Sequence, residues 1–287
     1  MVYCSFIVIH GSMLYMKISL RFLLVLFSLL SMSHKSLAIA TIIAELDNIF
    51  IREDRKKTIW EVGPSNFIGW YNPATIQEDY FKLLDSMLPY QPGEIKNIRD
   101  GYVIPKIIND WLTNKQTPEQ IRSFVIQKLK EVSTMQGRST KIPQGIANCV
   151  FTPARYASTM VVQKKAVDIL KKCREKGHKL CLLTNWNTES FNCLMQNHEI
   201  KSMLSLFDFI LISGNAHMFK PDPKFFEYAF SYFNVDFTQP VYYLDSEINN
   251  INVVQSLCKP NLTCIYCKNS DITSIDNEFR RRHIYQK

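Results

Sequence analysis

Four stretches of this chain put polar residues directly after apolar runs or ahead of a helix start, and each carries a group able to do chemistry. The run TIIAEL at 41–46 delivers Glu45, with Asp47 two residues on. KLCLL at 179–183 delivers Thr184 and Asn185, and VYYL at 241–244 delivers Asp245. FKPDPKFF at 219–226 carries Lys220 just ahead of a helix signal, Asp222 as cap and Pro223 as first helical residue. Acids, a hydroxyl, an amide and one ammonium are the groups that hold a metal ion and a phosphate-like anion. One such residue alone is a cap or an accident; four segments delivering them to one edge define a candidate site.

The elements that position them follow from the hydrophobic pattern. Short apolar runs at 41–46, 179–183, 208–212, 241–244 and 262–266 read as buried strands. Helical spacing separates the last four, and Val162, Ala166, Ile169, Leu170 and Cys173 mark a further helix stopped by Gly177. Strand and helix alternating this often predict an α/β fold, a parallel sheet covered on both faces with right-handed crossovers. Ligands in such sheets bind beyond the carboxyl ends of the strands, where the four polar groups fall. Between the first strand and the rest, helical periodicity appears at 76–88, at 102–112 and at 118–132, the last with Thr117 as cap and Pro118 at the first position. Three helices and no convincing strand predict a separate helical insert.

Length and composition set outer bounds. With 287 residues, 46% of them hydrophobic and 21% charged, the chain can bury a sizeable core, which excludes a disordered or fibrous whole. Of the formal charge of +8, Lys17, Arg21 and Lys35 account for three within residues 1–38, which hold no acid. The mildly basic remainder suits an anionic small molecule, and no basic stripe interleaved with aromatics speaks for nucleic acid. Lys17 and Arg21, the apolar run 22–32 and the small residues Ser36 and Ala38 have the layout of a signal peptide over 1–38, with translation starting at Met16. That layout predicts an exported protein, periplasmic or secreted, without stable membrane insertion after cleavage; an uncleaved anchor is the other reading. Removal of the leader leaves seven cysteines, of which Cys258, Cys264 and Cys267 cluster closely enough to supply one disulfide. Cys264-x-x-Cys267 lacks the second pair of a zinc site, and Cys173 and Cys181 fall on core positions.

Taken together, LLTNW at 182–186, FKPDPKFF at 219–226 and VYYLDSEINN at 241–250 resemble, in order and in strand context, the second, third and fourth motifs of the haloacid dehalogenase (HAD) superfamily. Most members of that superfamily are magnesium-dependent phosphatases. The resemblance covers roughly residues 41–50 and 160–267. It implies a HAD-like Rossmannoid core over 39–57 and 155–287 with a helical cap, inserted after the first strand, over 58–154. It also implies roles: Thr184 and Asn185 hold phosphoryl oxygens, Lys220 neutralises nucleophile and phosphate, and Asp245 holds magnesium.

The first motif departs from the pattern. The family has Asp-x-Asp, whose first acid attacks phosphorus and whose second protonates the leaving group and activates water. This chain has Glu45 at the first place and Asp47 at the second. One extra methylene moves the carboxylate by on the order of 1 Å, a displacement that costs ~10²-fold where in-line attack is needed. A metal-ligand role tolerates the longer arm better. The resemblance therefore implies a phosphomonoesterase acting on a small phosphorylated substrate, with Glu45, Asp47, Thr184, Asn185 and Lys220 catalytic and Glu45, Asp47 and Asp245 on weakly held magnesium. The alternative is a catalytically inactive relative that binds a phosphorylated ligand or a protein partner. A third reading makes the insert's aromatics, Trp60, Trp70 and Trp111 among them, a protein-contact surface.

Overall fold

The apolar run at 41–44 forms the centre of the sheet because its side chains are buried on both faces. The protein is described here by a computed structural model covering residues 39–67, 76–96, 98–99, 102–136, 139–268 and 271–285, so the leader read over 1–38 and Trp70 lie outside the described residues. After β1 (Thr41–Ala44) the chain turns and enters β2 (Ile51–Glu53), which pairs antiparallel with residues 160–162. Between these two short strands come α1 (Arg55–Val62), a 3-10 turn (Pro64–Phe67), α2 (Ile76–Met87), the ribbon β3 (Ile98–Arg99) with β4 (Tyr102–Val103), α3 (Lys106–Leu112), α4 (Pro118–Gln136), α5 (Lys141–Val150) and α6 (Pro153–Ser158).

The remainder alternates: β5 (Met160–Val162), α7 (Lys164–Glu175), β6 (Lys179–Thr184), α8 (Thr188–Leu194), α9 (His198–Leu204), β7 (Phe209–Ile212), α10 (Ser213–Ala216), α11 (Pro223–Tyr232), β8 (Val241–Asp245), α12 (Ile248–Ser256), β9 (Leu262–Tyr266) and α13 (Ile272–Arg281). The five strands β7-β6-β1-β8-β9 lie in that order and pair in parallel throughout. Alternation of side chains sorts them onto two faces. Ile42, Ala44, Leu180, Leu182, Tyr242 and Leu244 join one core, and Ile43, Cys181, Leu183, Val241 and Tyr243 join the other with the phenylalanines of α11. A third core, built on Leu84, Trp111, Ile121, Val125, Leu129 and Phe151, lies within the helices between β2 and β5.

The cap signals act as read. Asp222 accepts from Lys224 N at 2.9 Å, and α11 buries Phe225, Phe226, Ala229 and Phe230. Thr117 and Gln120 form a reciprocal capping box ahead of α4. Gly177 takes a left-handed φ of 79°. One helix was over-read: the segment 102–112 starts as β4, and only Lys106–Leu112 is helical. Pro105 explains this, because it disfavours helix in the residue before it and lacks the N–H that a continuing helix needs. The same region thus holds a small ribbon and more than three helices.

Candidate active site

Glu45, Thr184 and Asp245 meet because β1 lies between β6 and β8. Ile43 pairs with Tyr243 in register, so two residues further along the same parity places Glu45 and Asp245 side by side on one face. Thr184 ends β6 on the other flank. Lys220 comes from the loop between α10 and α11, on the face where α11 packs. Of these, Thr184, Lys220 and Asp245 are completely inaccessible to solvent, and Glu45 is buried.

Glu45 is held on every side. Its Oε1 accepts from Leu46 N at 2.6 Å, from Asp47 N at 3.2 Å and from the Thr184 hydroxyl, while its Oε2 accepts from the Lys220 ammonium. Burial, reinforced by the charges of Asp245 and Asp47, pushes the Glu45 carboxyl above its ordinary range despite the pull of Lys220. Burial works against the charged form of Lys220, but Asp245 and Glu45 outweigh it and hold the ammonium above its usual value. Two backbone amides and a hydroxyl on one oxygen, with an ammonium on the other, form a donor set of the kind that stabilises an oxyanion.

Asp245 is equally engaged. Its Oδ2 accepts from Lys220 Nζ at 2.8 Å, from Asn250 Nδ2 at 3.0 Å and from the Tyr243 hydroxyl; its Oδ1 accepts from Glu247 N at 2.8 Å. Tyr243 reaches it because residues two apart on a strand share a face. Burial and the Asp245 charge raise the phenol well above its normal range, so it stays a donor. Tyr243 and Asn250 were missed in the sequence, where VYYLD reads simply as an apolar strand and Asn250 as a helix residue.

Magnesium takes six oxygen ligands in near-octahedral array. Among the described residues no group of three His, Cys, Asp or Glu side chains is placed to hold a metal. A carboxylate oxygen has about two lone-pair sites. Glu45 Oε1 and Asp245 Oδ2 each already take three donors, and the Lys220 ammonium lies between the two carboxylates. Asn250 Oδ1, on the side chain that donates to Asp245, is buried without a hydrogen-bond partner and is a neutral oxygen. As packed, the residues do not fit magnesium.

Asn185 and Asp47 have partners of their own. The Asn185 amide donates to Lys220 O at 3.0 Å and accepts from Lys220 N at 2.9 Å, so it clamps the lysine's backbone. Half-buried Asp47 accepts from the indole of Trp186 at 3.0 Å, and Trp186 stacks on Tyr156 with ring centroids 5.1 Å apart. Trp111 packs edge-on to Tyr156 and Phe151 and is buried, so it belongs to the third core and not to a contact surface; Trp60 is exposed. The seven described cysteines are all free, Cys258, Cys264 and Cys267 among them. The three differ in setting: Cys258 is exposed, Cys264 half-buried and Cys267 buried. Cys173 and Cys181 are core residues whose thiols burial pushes up to about 12.

Glu45, Thr184, Lys220 and Asp245 thus meet at the carboxyl edge of a parallel sheet in an α/β fold. The family model of haloacid dehalogenase-like hydrolases matches residues 102–253, more than half of the chain, and the protein belongs to that family. Among solved structures, a HAD family enzyme of Bacteroides thetaiotaomicron is 18% identical with a TM-score of 0.50, the match covering 80% of this chain and 93% of that one. A HAD-like family hydrolase of Porphyromonas gingivalis is 16% identical with a TM-score of 0.51, covering 85% and 98%. At this identity both likenesses show the fold alone. The Bacteroides enzyme has also been solved as a magnesium complex; against that structure the identity is 20% and the TM-score 0.48, covering 81% of this chain and 94% of that one. No curated protein matches the chain.

Proposed function

We propose that this centre takes a small phosphorylated molecule and hydrolyses its phosphomonoester slowly. The observation that carries the reading is the convergence of Leu46 N–H, Asp47 N–H, the Thr184 hydroxyl and the Lys220 ammonium on one buried carboxylate. Those donors suit phosphoryl oxygens, and Glu45 is what a phosphoryl group must displace to reach them. Turnover then runs in two steps. The Glu45 carboxylate attacks phosphorus, the ester P–O bond breaks, and Asp47 gives its proton to the departing alkoxide. Asp47 next takes a proton from water, whose oxygen attacks phosphorus, releasing phosphate and restoring Glu45. Slowness follows from the extra methylene and from the hydrogen bonds that Glu45 must exchange first. The expected magnesium dependence enters no step of this scheme, because Lys220 stands between the two carboxylates.

A second reading, a site that binds its ligand without turnover, is favoured by the three donors on Glu45 Oε1. One assay separates the two. Phosphatase activity of the full chain is compared with Glu45→Asp and Lys220→Ala, each with magnesium and with chelator. Slow native turnover, a gain of ~10²-fold in Glu45→Asp and loss in Lys220→Ala support hydrolysis. Silence in the native chain and in Glu45→Asp sinks it and leaves the binding reading. Export stays part of the proposal on the pattern of residues 1–38, and fractionation that finds the protein in the cytoplasm would remove it.

A further inference from the structure

The disagreement between the site and a magnesium ion has a positive side. Lys220 is completely buried, between two carboxylates that would otherwise face each other uncompensated. An ammonium offers three hydrogens and no lone pair, so it and a divalent cation cannot occupy the gap between the same oxygens. The lysine is fixed from both ends. Asn185 holds its backbone on both sides of the residue, and its head group meets an Asp245 Oδ2 that also accepts from Tyr243 and Asn250, while the other oxygen accepts from the Glu247 amide.

We propose that Lys220 is the resident cation of this centre, taking the place of a divalent metal between Glu45 and Asp245, so that the centre is assembled metal-free. The proposal rests on the assignment of this site as the anion-handling one, and it is independent of turnover.

The test uses the full chain after chelation, with magnesium and then manganese added to millimolar concentration. Calorimetry and thermal unfolding are the readouts. The native protein is expected to show no binding heat and no shift in Tm. Lys220→Met keeps the stem and removes the charge, leaving two buried acids; its Tm in chelator is expected to fall by about 6–20 °C. Metal then restores part of that loss by entering the vacated gap. A saturable rise in the native Tm with magnesium overturns the proposal, as does a folded Lys220→Met that ignores both metals. Should Lys220→Met not fold, Lys220→Met/Asp245→Asn removes cation and acid together and is expected to be better folded than the single variant. A double variant no better than the single overturns the proposal. Because none of these readouts is activity, a protein without phosphatase turnover can pass this test, and a magnesium-requiring phosphatase fails it while supporting the proposed reaction.

Discussion

Asn185 holds Lys220 by the backbone, donating to its carbonyl at 3.0 Å and accepting from its amide at 2.9 Å. This two-point contact ties the end of β6 to the loop that carries the cation. The side chain of Lys220 is thereby aimed at Glu45, 175 residues away in sequence. Asn185→Ala removes both bonds and is expected to cost about 1–3 kcal/mol in urea unfolding. Asn185→Asp keeps the acceptor but turns an oxygen toward the Lys220 carbonyl, and should cost at least as much as the alanine. Equal stability of both variants with the native chain would mean that the loop is held by other contacts.

The opposed burial and charge effects at the centre give stability a particular pH dependence. The folded Glu45 carboxyl titrates above its unfolded value of ~4.3. The folded state therefore binds the proton more tightly, and this contribution is fully present below ~4.3 and lost as pH rises through the raised folded value. That is the reverse of an exposed, ion-paired carboxylate. Lys220 is also raised, so its contribution holds below the unfolded value of ~10.4 and disappears as pH climbs through the folded one. The urea midpoint of the native chain should rise from neutral pH toward mild acid relative to Glu45→Gln, whose amide does not titrate. Parallel pH profiles for the two proteins would show that Glu45 carries no proton linkage.

The framework of the site was legible because a buried strand that ends in a polar residue is a strong local signal. Glu45, Thr184 and Asp245 stand out from their apolar runs for that reason, and Asp222-Pro223 marks the helix after Lys220. What the groups do to one another was not legible. Tyr243 looks like any strand residue until register places it below Asp245, and Trp186 looks like a core aromatic until its indole is found on Asp47. Asn185 can serve a ligand or a backbone equally well by chemistry, and only the fold brings the Lys220 peptide within reach of both its atoms. The helix expected over 102–112 begins only at Lys106 because Pro105 sets its start.

Asn114 ties the end of α3 to the loops after β6 and β7. Its backbone is left-handed, with φ 56°, and its side chain donates to Thr188 Oγ1 at 2.6 Å and to Gly214 O at 3.0 Å while accepting from Asn187 and Thr188 N. Asn187 meanwhile caps α8 and donates to Trp111 O. Asn114→Ala loses the bonds and leaves a Cβ in a left-handed conformation, for an expected cost of about 2–4 kcal/mol. Asn114→Gly loses the same bonds without that conformational penalty and should be more stable than the alanine variant by about 1 kcal/mol. The reverse order in denaturant unfolding would show that the backbone at this turn relaxes.

Trp186 joins the acid–base candidate to the helical layer: its indole N–H donates to Asp47 Oδ1 at 3.0 Å and its ring stacks on Tyr156, which packs against Trp111. Trp186→Phe retains a ring for Tyr156 and deletes the donor, which separates positioning from packing. In the Glu45→Asp background this variant is expected to lower kcat for a phosphomonoester by about 10-fold with KM little changed, because Asp47 loses one hydrogen bond that orients its carboxylate. Stability should fall by only about 1 kcal/mol, the value of one hydrogen bond. The pH profile of kcat is the decisive readout, since removing the indole donor from Asp47 should move the limb that reports the acid–base group, whereas a packing defect would lower the whole curve without displacing it.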